Sequence, residues 1–134
     1  MGFNLAVLDT DILVALLKGA PDATGKIKKL EEKGDRVATT IVTAYELLKG
    51  AYISSRPQEN LMKVKDTISN LQVLDLSYNA CEEASKIYRD LRKTGTVIGE
   101  FDILIAAIAK TYDETIITRD EHFKLIRGTK LIKW

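Results

Sequence analysis

Two carboxylates mark the most apolar part of the chain, residues 98–120. Asp102 lies in the first turn of a predicted helix that opens at Gly99 and is apolar on nearly every side, which predicts a buried helix. Asp120 directly follows Thr115–Thr118, whose β-branched residues predict a buried strand. Each carboxylate could serve its local backbone alone, Asp102 at the positive end of a helix dipole and Asp120 as a cap. Because buried carboxylates are normally paired or bind a cation, their closeness in the fold also predicts a site.

Two further carboxylates occupy comparable positions earlier in the chain. Asp9 ends the apolar run from Phe3 to Leu8, and Glu46 lies in the first turn of a helix predicted to start at Thr43. Thr43 and Glu46 also fit a capping box, in which the glutamate bonds back to the backbone of the cap. The sequence therefore leaves open whether Glu46 serves a site, the helix, or both.

The four carboxylates predict a metal site if the strands that carry them are parallel, because working groups gather beyond the carboxyl ends of such strands. Asp11 and Glu100 are near enough in sequence to join them. Like charges held this close repel unless a cation neutralises them, and a set of oxygen ligands selects Mg²⁺ or Mn²⁺. Since Mg²⁺ works with phosphate oxygens, the predicted chemistry is phosphoryl transfer by a water that the metal activates.

The positions of apolar residues predict the elements that would hold this site. Predicted strands alternate with helices, and the strands are Phe3–Leu8, Arg36–Thr40, Val73–Leu76, Thr115–Thr118 and Leu131–Trp134. Helices are predicted at Ile12–Gly19, at Pro21–Lys33, from Thr43 to about Ser54, from Pro57, from a cap at Asn79 to near Gly95, and after Gly99. Alternation with short loops predicts an α/β fold, a three-layer α/β/α sandwich with a mostly parallel central sheet.

The composition predicts one ordinary globular domain, residues 1–134, with 46% hydrophobic and 29% charged residues. The net charge of +1 supplies no general attraction to nucleic acid, so RNA binding would depend on a local patch such as Arg89, Arg92 and Lys93. The chain contains no apolar run long enough for a membrane span and no secretory signal at its N-terminus, which predicts a cytoplasmic protein.

The sulfur and imidazole groups offer few ligands. Cys81 is the only cysteine, which excludes an internal disulfide and a zinc site built from cysteines, and we expect it to be a small core residue. His122 is the only histidine, and its position after a predicted turn gives no reason to assign it a catalytic role.

Four motifs, in this order, resemble those of PIN-domain ribonucleases, particularly the VapC-like toxins of bacterial and archaeal toxin–antitoxin pairs. They are Asp9-Thr10-Asp11-Ile12-Leu13, Thr43-x-x-Glu46-Leu47-x-x-Gly50, Gly99-x-x-Asp102-x-x-Ile105-Ala106-Ala107 and Thr118-Arg119-Asp120-x-x-Phe123. The resemblance covers essentially the whole chain. It implies a metal-dependent endoribonuclease that hydrolyses RNA with Mg²⁺ or Mn²⁺, a homodimer, and a small antitoxin that occludes the site.

The resemblance also implies roles for individual residues. The catalytic and metal-binding quartet would be Asp9, Glu46, Asp102 and Asp120, with Thr10 and Thr118 as supporting hydroxyls. Many relatives carry Asn or Ser at the position of Asp11, so contact between Asp11 and the metal stays open. We expect the homodimer to form through exposed apolar helices, with the region of Leu61, Val64 and Ile68 as the first candidate.

Three other functions fit parts of the pattern. Asp9-Thr10-Asp11 matches the Asp-x-Asp of a haloacid-dehalogenase-like phosphatase, although that motif requires a threonine or valine where Leu13 stands. A phospho-acceptor receiver domain also clusters carboxylates around Mg²⁺, but it requires an aspartate at the end of a middle strand, and Asp75 is predicted inside one. A non-catalytic RNA- or protein-binding domain on the same fold is the third alternative.

Overall fold

Short runs of aliphatic and β-branched residues form a five-stranded sheet at the centre of the protein. The computed structural model describes residues 4–134. The strands are β1 (Leu5–Leu8), β2 (Arg36–Thr40), β3 (Gln72–Leu74), β4 (Thr115–Ile117) and β5 (Lys130–Ile132). Their order in the sheet is β3-β2-β1-β4-β5, and all four pairings are parallel. The predicted α/β class is confirmed, while Phe3, the predicted start of the first strand, lies outside the described residues.

The central position of β1 follows from its side chains, which are apolar on both faces. Val7 is fully buried in one core, whereas Ala6 and Leu8 are buried in a second core on the opposite face. Alternate residues of a strand point to opposite faces, so an uninterrupted apolar strand has to be covered on both sides. Helices cover both faces accordingly.

The helices fall into two groups according to the core into which they pack. They are α1 (Thr10–Leu17), α2 (Pro21–Glu32), α3 (Ile41–Tyr52), α4 (Pro57–Ser69), α5 (Tyr78–Lys93) and α6 (Glu100–Thr111). Helices α1, α2 and α4 pack into the core of Ala6 and Leu8, and α5 and α6 into that of Val7, while α3 contributes to both. The structure therefore has the predicted three layers. In the described part of the chain, no helix is long and apolar enough to cross a membrane.

The start of α3 differs from the prediction, and the difference changes the reading of Glu46. Strand β2 passes into α3 without a loop, and the Thr40 hydroxyl accepts a hydrogen bond from the backbone N–H of Thr43 at 3.1 Å. The helix starts at Ile41, two residues before the predicted Thr43, and ends at Tyr52. Thr43 is therefore not the cap, and the capping box with Glu46 is wrong.

Helix α5 also starts earlier than predicted. Its cap is Ser77, whose hydroxyl accepts a hydrogen bond from the backbone N–H of Ala80 at 3.1 Å, and the predicted cap Asn79 lies inside the first turn. Cys81 is exposed and is not the core residue that we expected. The spacing of apolar residues along this helix also predicts that Tyr88 points inward, but Tyr88 is 46% exposed. Earlier initiation shifts the helix boundary, but the apolar face through Ala84 remains buried as expected.

Three strands end before their predicted limits. Strand β3 stops at Leu74, so Asp75 follows the strand and was wrongly placed inside it. Because β3 is an edge strand, Asp75 still does not end a middle strand as a receiver domain requires. Thr118 lies just beyond β4, and Trp134 lies beyond β5. The backbone N–H of Thr118 still donates to the carbonyl of Ile132 at 3.1 Å, and the side chains of both residues lie at the carboxyl edge of the sheet.

The apolar face of α4 is not the exposed surface that we expected for a homodimer. Val64 is 4% exposed and belongs to the core of Leu8, and Leu61 and Ile68 are partly buried against the same core. The 3–4 spacing of these residues predicts one packed helix face, and that face packs within the chain.

Candidate active site at the carboxyl edge of the sheet

The neighbouring ends of β1 and β4 bring Asp9 and Thr118 together. Both residues are the first after their strands, and both are 4% exposed. The Thr118 hydroxyl donates to Asp9 Oδ2 at 2.6 Å, and the backbone N–H of Thr10 donates to Asp9 Oδ1 at 2.8 Å. Each oxygen of this buried carboxylate thus has a donor, and the side chain is held in one orientation.

Thr10 connects α1 to Glu46. The Thr10 hydroxyl donates to Glu46 Oε1 at 2.8 Å and lies 3.1 Å from the Thr43 hydroxyl. Glu46 lies in the second turn of α3, on the side that faces α1. Helix α3 therefore presents Glu46 beside the residue that follows Asp9.

Asp102, Asp120 and His122 form a compact group, and the charge of Asp102 acts on Asp9. Each offers one ligand atom, and the three atoms lie within 4.8 Å of one another. Asp120 Oδ1 accepts from the backbone N–H of His122 at 2.9 Å and lies 3.1 Å from His122 Nδ1. Asp120 therefore caps the short helix Glu121–Leu125, which confirms the prediction that it serves as a cap. It also takes part in the acidic group.

His122 is the residue that the sequence reading missed. The backbone bond from His122 to Asp120 closes a tight turn that folds the imidazole back onto the carboxylate. The available signal was the two-residue spacing after an aspartate that could cap a helix, which places the second side chain near the first.

The environment of Asp9 disfavours its charged form. Burial raises the pKa of Asp9 to about 7, and the nearby charges of Asp11 and Asp102 act in the same direction. The hydrogen bonds from Thr118 and Thr10 oppose this shift because they stabilise the carboxylate. Desolvation is the larger effect, so without a cation Asp9 takes up a proton far more readily than an ordinary aspartate.

The pKa of Asp102 is also raised, and repulsion from other carboxylates contributes to this shift after burial. Partial burial raises its pKa to about 6, and repulsion from Asp120 and Glu46 adds to the effect, while His122 opposes it. Asp102 is thus the common neighbour: its charge acts on Asp9, and the charges of Asp120 and Glu46 act on it, which places the four carboxylates in one acidic cluster.

This donor set fits a divalent metal ion. Carboxylate oxygens that repel one another while partly desolvated are relieved by a cation, and hard divalent ions prefer oxygen ligands. The close group also contains one imidazole, whereas the sequence reading foresaw oxygen ligands alone. Imidazole is compatible with Mn²⁺ as well as with softer metals, so the group does not discriminate between ions.

Asp11 lies beside the cluster but is committed to other partners. Asp11 Oδ2 accepts from the backbone N–H of Arg119 at 2.8 Å, and Oδ1 accepts from the Trp134 indole at 3.1 Å. The Arg119 guanidinium stacks 3.4 Å from the centre of the Trp134 ring and donates to Asp22 at 2.6 Å. Asp11 therefore joins α1 to the segment after β4 and to the residues beyond β5.

Glu100 is not brought to the cluster. It is exposed and lines a groove with Cys81 and Tyr88 of α5, on another side of α6 from Asp102. Arg89, Arg92 and Lys93 are exposed on α5, and Arg89 pairs with its neighbour Asp90 at 3.0 Å. Within residues 4–134, none of these three cations forms a hydrogen bond or an ion pair with the four carboxylates.

The phosphatase alternative loses support from these contacts. A dehalogenase-like acid at Asp11 would have to exchange protons with substrate, but both of its oxygens are held by Arg119 and Trp134. Within the described range, no lysine donates to Asp9 or Asp11 as that chemistry requires.

The raised pKa of Asp9 predicts an unusual dependence of stability on pH. Its pKa of about 7 lies above the unfolded value of 3.8, so the folded protein binds more protons between these limits. Metal-free protein should therefore lose stability as the pH rises from 5 to 8, and Asp9→Asn should reduce that loss by about 2 to 4 kcal/mol. Urea unfolding in chelator at both pH values measures the effect.

Asp90→Asn is the matched control for this experiment. Asp90 is exposed and Arg89 lowers its pKa, so its titration lies below the pH range and the variant should follow the wild type. Equal pH dependence in the Asp9 variant and the wild type would contradict the burial effect.

Comparison with known proteins identifies the family. The PIN domain family matches residues 6–128. The tRNA(fMet)-specific endonuclease VapC of Salmonella typhimurium is 30% identical, with 96% of each chain covered. Ribonuclease VapC2 of Rickettsia felis is 28% identical over the same shares.

Solved structures agree with this match. DNA-bound VapBC from Salmonella typhimurium aligns with a TM-score of 0.90 at 28% identity, covering 99% of each chain. VapBC2 from Rickettsia felis, bound to a promoter DNA fragment, aligns with a TM-score of 0.89 at 27% identity, covering 97% of this chain and 98% of that one. The matched residues include every member of the acidic cluster, namely Asp9, Glu46, Asp102 and Asp120, and also Thr118. The chain therefore belongs to the PIN domain family, as a relative of the VapC ribonucleases.

Proposed function

We propose that this chain is a metal-dependent endoribonuclease and the toxin of a type II toxin–antitoxin pair, acting as one nuclease domain over residues 1–134. The observation that carries the proposal is the acidic cluster, in which carboxylates from separate elements meet and in which burial and nearby negative charge raise the pKa of Asp9 and of Asp102. Its relatives are named as ribonucleases and as tRNA(fMet)-specific endonucleases. PIN-domain nucleases depend in general on divalent metal ions, and the donor set supports that requirement here.

We assign the metal ligands to the cluster, with Mg²⁺ or Mn²⁺ as the ion. Asp9, Asp102 and Asp120 would bind it directly, and Glu46 would complete the quartet. When bound, the ion would supply an activated water and neutralise charge on the phosphodiester. The Mg²⁺ preference rests on the predominance of carboxylate oxygens.

The surrounding residues would position these ligands. The Thr118 hydroxyl donates to Asp9 at 2.6 Å and the Thr10 hydroxyl donates to Glu46 at 2.8 Å, so a neighbouring hydroxyl orients each carboxylate. His122 would fix Asp120 in the same way from 3.1 Å. Replacing a residue that orients a metal ligand typically costs about 10- to 100-fold in metal affinity or activity.

The RNA would reach an acidic site on a chain of nearly neutral charge. Arg89, Arg92 and Lys93 stay candidates for phosphate contacts, because they are exposed near the loop that leads to Gly99. Such contacts would position RNA without reading its sequence. The cytoplasm, where RNA and an antitoxin would be met, is the proposed location.

A groove beside Glu46 supports binding of an antitoxin. The groove has a volume of about 280 Å³, with Thr10 and Glu46 at one end and an apolar wall that includes Leu47, Ala51 and Val64. Several structural neighbours are toxin–antitoxin complexes. A short antitoxin segment could place an apolar side chain against the wall and an arginine on the carboxylates.

The first prediction from this assignment concerns cleavage. Asp102→Asn and Asp9→Asn keep the side-chain shapes but remove charge from the cluster, so each should reduce RNA cleavage at least about 100-fold, or about 3 kcal/mol in the barrier. Cleavage of mixed RNAs with and without Mn²⁺ measures the loss.

Glu100→Gln provides the matched control, because Glu100 belongs to the same first turn of α6 but faces α5. It should cleave like the wild type. Full activity in both aspartate variants would remove the site as assigned.

A second prediction concerns the groove. A Cβ added at Gly50 meets no atom within 4 Å, and Gly50 lines the groove one turn from Glu46. Gly50→Trp should fold normally, fill the groove and weaken inhibition by the antitoxin at least about 10-fold, equivalent to about 1.4 kcal/mol. The cognate antitoxin, copurified with the chain from its source cells, serves in a titration of RNA cleavage.

The corresponding control is Gly25→Trp, because a Cβ at Gly25 on α2 also meets nothing within 4 Å. Equal inhibition of both tryptophan variants would place the antitoxin elsewhere.

We also propose a homodimer, through apolar side chains near the end of α3. Ile53 is 81% exposed and Met62 of the adjoining α4 is 75% exposed. Helices α3 and α4 pack together, so exposed apolar side chains on both supply area for an interface between copies of the chain. Sedimentation velocity at tens of micromolar should give a dimer for the wild type and monomer for Ile53→Lys with Met62→Lys. A monomeric wild type would contradict the dimer.

A further inference from the structure

Two exposed aromatic side chains lie next to the acidic cluster, one from each of two helices. Tyr45 immediately precedes Glu46 on α3, and Phe101 immediately precedes Asp102 on α6. Their rings meet edge to face, with centroids 5.6 Å apart and an angle of 82° between the planes. Tyr45 is 53% exposed and Phe101 is 36% exposed, so the pair lies on the surface.

Lys49 adds a positive charge to this pair. Its Nζ lies 5.2 Å from the centroid of the Tyr45 ring and 5.2 Å from that of the Phe101 ring. Lys49 is exposed and forms no ion pair with any residue in the described range 4–134. The cation is held by the two rings and remains available to an anion from solution.

This arrangement differs from the exposed apolar residues elsewhere on the surface. Helical geometry separates the Tyr45 and Glu46 side chains by about 100° around α3, so Glu46 faces the cluster while Tyr45 faces outward beside it. Phe101 and Asp102 have the same relation on α6. Two helices thus present an aromatic pair and a cation at the rim of the same acidic site.

The chemistry of the pair matches a nucleotide. An edge-to-face pair leaves ring faces open, on which a base of any sequence can stack. Lys49 can contact a phosphate of the same strand, which offsets the repulsion between RNA and the carboxylates. We propose that Tyr45, Phe101 and Lys49 form a binding site for one nucleotide of the RNA substrate, next to the phosphodiester that is cleaved.

This inference rests on the proposed ribonuclease function and adds a substrate-positioning site to it. Stacking tolerates all four bases, so the site sets where the strand lies and leaves base identity to other contacts. The position of the cut should therefore depend on the presence of a base at one fixed distance from it.

The test measures binding separately from cleavage. Fluorescein-labelled single-stranded RNA is titrated with the chain in Ca²⁺, and anisotropy gives the Kd. Tyr45→Leu and Phe101→Leu keep apolar bulk but remove the ring, and each should weaken binding about 5- to 100-fold. Tyr45→Phe and Phe101→Tyr should retain wild-type affinity, since both keep an aromatic face.

Two further variants separate stacking from charge and from general surface effects. Lys49→Gln should weaken binding and lower the slope of log affinity against log salt by about 0.7, as expected for one phosphate contact on a single strand. Tyr112→Leu is the aromatic control, because Tyr112 is 43% exposed at the opposite end of α6. It should bind like the wild type.

An abasic scan identifies the stacked position. Removing the base at that position should weaken binding to the wild type more than binding to Tyr45→Leu or Phe101→Leu, because each variant has already lost one ring of the stacking surface. An equal abasic effect in the variants and the wild type, or wild-type affinity in both leucine variants, overturns the inference. Failure of the wild type to bind the RNA also overturns it.

The remaining outcomes distinguish the nucleotide site from the proposed ribonuclease function and from an interface between copies of the chain. If the wild type shows the abasic dependence but never cleaves RNA, the nucleotide site stands and the ribonuclease function fails. If RNA is cleaved and the leucine variants bind normally, the reverse holds. Conversion of a dimer to monomers by Tyr45→Leu in sedimentation would make the pair an interface between copies of the chain, and would overturn the nucleotide site.

Discussion

The buried carboxylate of Asp9 is the constraint on which the site depends. It lies at the end of the central strand, where Thr118 and the backbone of Thr10 each donate to it, yet burial still raises its pKa to about 7. Two hydrogen bonds therefore do not compensate for the loss of solvent and the approach of other negative charges. Without a cation, Asp9 in this position readily takes up a proton, whereas a cation that is supplied would bind the carboxylate in place of the proton. This behaviour is expected of a metal ligand rather than of a structural cap.

Asp9 and Asp11 show how two similar residues, two positions apart, receive different roles. Both begin α1 or immediately precede it, and both accept two or more hydrogen bonds. Asp11 accepts hydrogen bonds from the segment after β4 and from Trp134, and these tie β4 and the edge strand β5 to α1. Asp9 faces Asp102, whose charge its own donors cannot neutralise. The Asp-x-Asp pattern alone does not separate the two roles, because the separation depends on contacts more than a hundred residues away.

Much of the fold was predictable because its elements are locally consistent. The structure agrees with the apolar strands, with the helix stop at Gly19 and with Pro57 at the start of α4. The starts of α5 and α3 were predicted too late. Ser77 and Asn79 are both suitable caps for α5 and the earlier one is used, and Thr40 both ends β2 and caps α3. The meeting of the four carboxylates could be predicted only by assuming parallel strands. The aromatic pair and the contact of His122 with Asp120 were not predicted, since both depend on side-chain directions that the sequence pattern does not contain.

Asp102 was predicted either to benefit from the helix dipole or to belong to a metal site, and the two interpretations predict opposite shifts of its pKa. A carboxylate placed in the first turn to benefit from the helix dipole is stabilised by about 0.3 to 1 kcal/mol in its charged form, which lowers its pKa. The pKa of Asp102 is instead raised to about 6, because burial and repulsion from Asp120 and Glu46 exceed the opposing effect of His122. Its placement therefore makes the metal-free helix start less favourable. The buried face of α6, from Ile105 to Ala109, holds the helix in position regardless, so the packing energy of the core maintains a carboxylate where local electrostatics disfavour it.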